Sequence, residues 1–86
     1  MGLESIDNFA FEGCKSLVHF VVPPSVSMMN CGVLINCTNL KNVVLYEGLE
    51  VIEQRSFAEC LSLESVMFPS SVKTLGENAF RRCSNL

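Results

Sequence analysis

The chain has no tryptophan, one tyrosine (Tyr46), one histidine (His19) and one aspartate (Asp7) among its 86 residues. Catalytic sets draw on histidine, aspartate and glutamate held close together. The few available here form no such set. Glu4, Glu50, Glu53 and Glu77 fall on polar positions of the pattern described below and read as solvated surface. The five glycines are scattered, so no phosphate-cradling loop is written. Clustered positive charge is also missing. Six basic residues stand against nine acidic ones, for a net charge of −3. That balance argues against nucleic acid as a partner. No apolar run approaches the ~20 residues of a membrane span. The opening stretch, MGLESIDNFAF, lacks both the basic region and the apolar stretch of a secretory signal. An exported protein would carry its signal outside this sequence. Gly2 suggests myristoylation, but that pattern needs Ser or Thr where Ile6 stands. The length bounds the chain to a single domain, 1–86.

Cysteine is what the chain does have. Cys14, Cys37, Cys60 and Cys83 lie 23 residues apart, with Cys31 outside the series. Zinc sites bring ligands in close pairs such as C-x₂-C. There is no such pair and only one histidine, so no metal and no cofactor are expected.

The same 23-residue step runs through the rest of the sequence. Leu17, Leu40, Leu63 and Leu86 obey it, as do Ile6, Met29, Ile52 and Leu75. So do Leu3, Val26, Leu49 and Val72, and Phe11, Leu34, Phe57 and Phe80. Ala10, Val33, Ser56 and Ala79 form a small-residue column. Phe20, Val43, Val66 and then Val22, Leu45, Phe68 complete the set. With the cysteines these columns hold 30 positions, of which only Ser56 is not apolar. A period of this length is one turn of a coil whose inner face needs its neighbours for burial. The repeats run over about 3–25, 26–48, 49–71 and a partial 72–86.

Within each turn, LVHFVV (17–22), LKNVVL (40–45) and LESVMF (63–68) alternate as strands do, with positions 20 and 22 inward. Pro23, Pro24 and Pro69 then stop the strand. Short extended stretches follow: SVSMM, LEVI and SVKTL. Phe11 with Cys14, and Phe57 with Cys60, stand three apart, which suits one helical turn with a buried face. The expectation is a solenoid of about four incomplete coils, with a parallel strand ladder on one face and brief helical turns on another.

The segments IDNFAFEGCKSLVHFVVPPSV and IEQRSFAECLSLESVMFPSSV resemble the leucine-rich repeat of the BspA-like, Treponema-type family. Its pattern is roughly I-x-x-x-A-F-x-x-C-x-x-L-x-x-V-x-(I/L)-P-x-S-V. The second repeat departs most, with MMNCGVLINC and LYEGL in place of the usual residues, so its turn geometry is open to change. Ser25, Gly48 and Ser71 stand where the more familiar leucine-rich repeat places Asn or Cys, so no asparagine ladder is implied. The resemblance implies an α/β, right-handed leucine-rich-repeat solenoid. It also implies a cell-surface or secreted protein concerned with adhesion and protein binding rather than catalysis.

Five features are candidates for function. Stacked cysteines would sit ~4.8 Å apart with parallel Cβ vectors, whereas a disulfide needs them closer and converging, so buried reduced thiols are expected. Cys31 shares a column with Asn8, Gln54 and Glu77, and is read as an accessible thiol or as chance drift in a degenerate repeat. On the strands, His19, Val21, Asn42, Val44, Ser65 and Met67 point outward. Val21, Val44 and Met67 make an apolar row there, either a partner surface or the preference of strands for β-branched residues. Tyr46 stands at its rim. Asn36–Cys37–Thr38 is a glycosylation sequon, which matters only if the chain is eukaryotic and secreted. Finally, the outermost coils are expected to expose core residues unless a longer solenoid, or end-to-end stacking, covers them.

Overall fold

A computed structural model describes residues 5–86. Leu3 and Glu4, assigned above to a core column and to solvated surface, lie outside the described residues. Seven short strands follow one another: β1 (Ser5–Ile6), β2 (His19–Val21), β3 (Met28–Met29), β4 (Asn42–Val44), β5 (Val51–Ile52), β6 (Ser65–Val66) and β7 (Thr74–Leu75). Strands of two or three residues are too short to persist alone. They persist here because each pairs in parallel with its counterpart one coil on. His19 faces Asn42, which faces Ser65. Ser5 faces Met28, then Val51, then Thr74. Every pairing spans 23 residues, as the sequence columns require.

The ladder is double. β2, β4 and β6 form the strand face foreseen from the alternation at positions 20–22. The extended stretches after the prolines form a second sheet, β1-β3-β5-β7. Between the two, the chain turns through bonds from Val26 to the Pro23 carbonyl (3.0 Å) and from Val72 to the Pro69 carbonyl (3.2 Å). In the second repeat Tyr46 replaces proline, yet the same bond forms from Leu49 to Tyr46 (3.3 Å). Gly48, at φ 109°, takes up the left-handed conformation this variant turn needs.

The third side differs from expectation. No residue there is helical among the described residues; the segment is a run of tight turns. Alternate amides divide the work. Phe9, Phe11 and Gly13 donate to the carbonyls of Cys31, Val33 and Ile35 in the next coil, each at 2.9 Å. Ala10, Glu12 and Cys14 donate three residues back at 3.2 Å. An α-helix sends its amides four residues back along its own axis, leaving none for a neighbouring coil. The turns instead keep half their donors for the stack. They manage it by entering the left-handed region at every fourth residue. Phe9, Gly32, Arg55 and Asn78 form one such column (φ 58–61°), and Gly13, Asn36, Glu59 and Arg82 the other (φ 62–67°).

Inside lie the predicted columns of the inner coils, whereas Ala10, Phe68, Leu75 and Leu86, from the same columns, are exposed. Met29, Val33, Leu34, Cys37, Leu40, Ile52, Phe57, Cys60 and Leu63 are fully buried. Phe57 and Phe80 stack with centroids 4.9 Å apart and planes inclined by 6°. Ser56, the one polar member of the columns, is also fully buried. Its hydroxyl lies 2.8 Å from the Glu53 carbonyl and 3.0 Å from the Asn30 carbonyl, and donates its proton between them. A buried hydroxyl so placed does not carry the desolvation penalty of an unpartnered one.

Candidate interaction face

The strand face sets two unlike rows side by side. Register places His19, Asn42 and Ser65 in one line of hydrogen-bonding side chains. Two residues on, Val21 and Val44 pair, and Met67 continues their column just past β6. An open groove of about 400 Å³ runs over this face. His19, Asn42, Val44, Ser65 and Met67 line it, joined at its floor by Val43 and Leu45. None of these residues is an aspartate, glutamate, lysine or arginine. Val21 and Tyr46 stand outside the lining, each 43% exposed.

The apolar row is uneven. Met67 is 85% exposed, whereas Val44 is only half-buried and so less open than the alternation alone suggests. The cause is position in the sheet. β4 is the middle strand, flanked on both sides, while β2 and β6 are each flanked on one. The floor residues Val43 and Leu45 escaped the sequence reading because their columns point inward. Val43 is buried and Leu45 half-buried, so both meet the groove from beneath.

The four laddered cysteines occupy the interior of the turn side. Cys37 and Cys60 are buried, Cys14 and Cys83 half-buried, and all five cysteines are free. Three of the thiols donate to a carbonyl one coil back: Cys37 to Phe11 (3.1 Å), Cys60 to Leu34 (3.2 Å) and Cys83 to Phe57 (3.1 Å). Burial pushes the Cys60 thiol up to about 12, with neighbouring Cys83 and Cys37 adding to the rise. Burial likewise raises Cys37 and Cys83. A thiol held protonated is a poor nucleophile and a poor metal ligand. Cys31 is half-buried; its amide donates to the Asn8 side chain at 2.9 Å. Among the described residues no group of three or more His, Cys, Asp or Glu side chains is arranged to hold a metal ion. No described helix is long and apolar enough to cross a membrane.

The strand ladder and the 23-residue coil have relatives. A leucine-rich repeat protein from Bacteroides ovatus superposes with a TM-score of 0.88 at 26% identity, over 93% of this chain and 21% of its own. The leucine-rich repeat protein of T. pallidum superposes with a TM-score of 0.84 at 31% identity, over 98% of this chain and 50% of its own. The chain thus spans half or less of the length of these two. No curated protein matches it. The family described as "BspA type Leucine rich repeat region (6 copies)" matches residues 1–86. Leucine-rich-repeat chains of this kind are generally non-enzymatic, and their fold suggests protein binding. A match over every residue, together with repeat columns that stack through the inner coils, makes this chain a member of the BspA-type leucine-rich repeat family.

Proposed function

We propose that the chain is a non-enzymatic protein-interaction module that recognises its partner through the β2-β4-β6 face. It would serve as a segment of a longer adhesion or surface-type leucine-rich-repeat protein. The observation that carries this reading is the groove. It sets a row of hydrogen-bonding side chains beside an apolar row, on a rigid ladder and with little fixed charge. Apolar positions supply area and the polar row supplies direction, which is how interfaces combine affinity with specificity. Met67, 85% exposed, is an unbranched and adaptable contact. His19 and Asn42 would orient the partner, Val21 would extend the apolar row and Tyr46 would anchor the rim.

The test is affinity capture with the parent protein, comparing wild type with Met67→Glu and Val44→Glu. Proteins held by wild type should be lost from both variants while thermal unfolding shows both still folded. Equal retention by the folded variants would remove this face from consideration.

A second reading is structural: a segment of a larger assembly whose outer coils are covered by neighbours. It is favoured by the C-terminal side of the stack, where Phe68 of the third coil and Leu75 and Leu86 of the fourth are 46%, 54% and 55% exposed. The amides of Asn78, Phe80 and Arg82 there have no acceptor among the described residues. End-to-end stacking would give concentration-dependent association in sedimentation, abolished by Leu75→Lys; a monomer at every concentration argues against it.

A further inference from the structure

Interaction through the strand face leaves one feature of the sequence unused, the sequon Asn36–Cys37–Thr38. Asn36 lies on the turn side, away from β2, β4 and β6, and is exposed. Its backbone is fixed in the left-handed region at φ 63°, with its amide donating to the Ala58 carbonyl at 2.9 Å. The neighbours in its column leave room. One coil back stands Gly13, which has no side chain, and nothing lies within 4 Å of where its Cβ would be. One coil on stands Glu59, whose carboxylate lies 3.6 Å from Arg82 in the coil beyond. A bulky group on Asn36 therefore meets open space on one side and an already engaged side chain on the other. The middle residue is no obstacle either. A cysteine there interferes when it is drawn into a disulfide, but Cys37 is buried, free and bonded to the Phe11 carbonyl.

From the sequon and this open geometry we propose that Asn36, in a eukaryotic secretory compartment, is an acceptor for an N-linked oligosaccharide, with Thr38 as the hydroxyl a transferase reads. In the transfer, Asn36 Nδ2 bonds the anomeric carbon of a lipid-pyrophosphate-linked oligosaccharide. The bond from that carbon to the pyrophosphate oxygen breaks, and the lipid pyrophosphate leaves with the electron pair. The amide proton passes to a base of the transferase. Asn36 is not among the residues that line the strand groove, so this inference stands apart from the interaction reading.

The experiment is translation of the full chain, behind a cleavable leader, in the presence of secretory microsomes. Protease-protected wild type should gain the mass of one glycan, removable by an amidase specific for N-linked sugars. Asn36→Gln and Thr38→Ala should lose the shift, and Thr38→Ser, which keeps the hydroxyl, should retain it. A protected but unshifted wild-type chain would overturn the proposal, as would a shift that survives in Asn36→Gln. The glycosylated chain should also resist native trypsin as well as the unmodified one does. Accelerated cleavage would mean that the folded coil has no room for the sugar, and would overturn it equally.

Discussion

Ile52 and Leu75 face each other across β5 and β7, in one column and one sheet. Yet Ile52 is fully buried and Leu75 is 54% exposed. The same contrast separates Leu63 from Leu86, and buried Cys60 from half-buried Cys83. Chemically alike residues differ because an inner coil has a neighbour above and below, while the C-terminal coil has one on a single side among the described residues. Burial in this molecule is supplied by adjacent coils, each of which contributes half of a core layer. Stability then behaves as a sum of coil and interface terms rather than as one indivisible core.

The sharpest way to break that comparison is to truncate matched residues. Phe57→Ala removes a fully buried ring that stacks on Phe80, and should cost about 3–5 kcal/mol. Small domains hold only ~5–15 kcal/mol in total, so this variant sits near its unfolding threshold. Ile52→Ala should cost about 2–5 kcal/mol, and Leu75→Ala about 1 kcal/mol, because half of its side chain is already in water. Urea denaturation at constant slope measures all three. Equal losses at positions 52 and 75 would refute the contrast between inner and outer coils.

The thiols give the next largest effect. The Cys60 thiol is raised from an ordinary value of 9 to about 12, so the folded chain holds its proton more tightly than the unfolded chain does. Its stabilising contribution is complete below pH 9 and is lost as the pH climbs from 9 towards 12. The unfolding free energy from urea denaturation should therefore fall across that window, with a slope approaching ~1.4 kcal/mol per pH unit from Cys60 alone. Cys60→Ala should flatten most of that slope, and Cys83→Ala should flatten less of it.

Smaller effects test the turn side. Arg55 is exposed and left-handed at φ 60°, where a side chain is strained. Arg55→Gly should leave stability unchanged or raise it by up to roughly 1 kcal/mol, because relief of strain outweighs the extra freedom of the unfolded chain. Last comes the Glu59–Arg82 pair, which links the third coil to the outermost one with both partners accessible to solvent. Glu59→Gln should cost less than about 0.5 kcal/mol and lose its effect in high salt.

The interior was legible because every core column repeats, and a repeat exposes its own rule. Even Ser56, the exception, sits where the column places it, with its hydroxyl bonded to carbonyls that lie within reach. The strand face was legible as a set of positions, but not in its relief. Alternation assigns Val21, Val44 and Met67 the same side; only the order of the strands shows that Val44 is the sheltered one. The turn side was misread. Phe11 and Cys14 at three-residue spacing satisfy a helix and a run of turns equally. What separates them is the pair of left-handed columns. Gly13, Gly32, Asn36 and Asn78 announce those columns, while Phe9, Arg55, Glu59 and Arg82 conceal them.

Nearly all of the bonds that join one coil to another on the turn side run between residues 22 apart, and every strand pairing between residues 23 apart. An inserted or deleted residue inside a laddered segment breaks this register. It turns one stretch of inward side chains out and shifts donors away from acceptors on all three sides. The laddered segments keep their pairing when length changes by whole repeats. A one-residue insertion between Gln54 and Glu59 should disrupt it far more than duplication of residues 26–48.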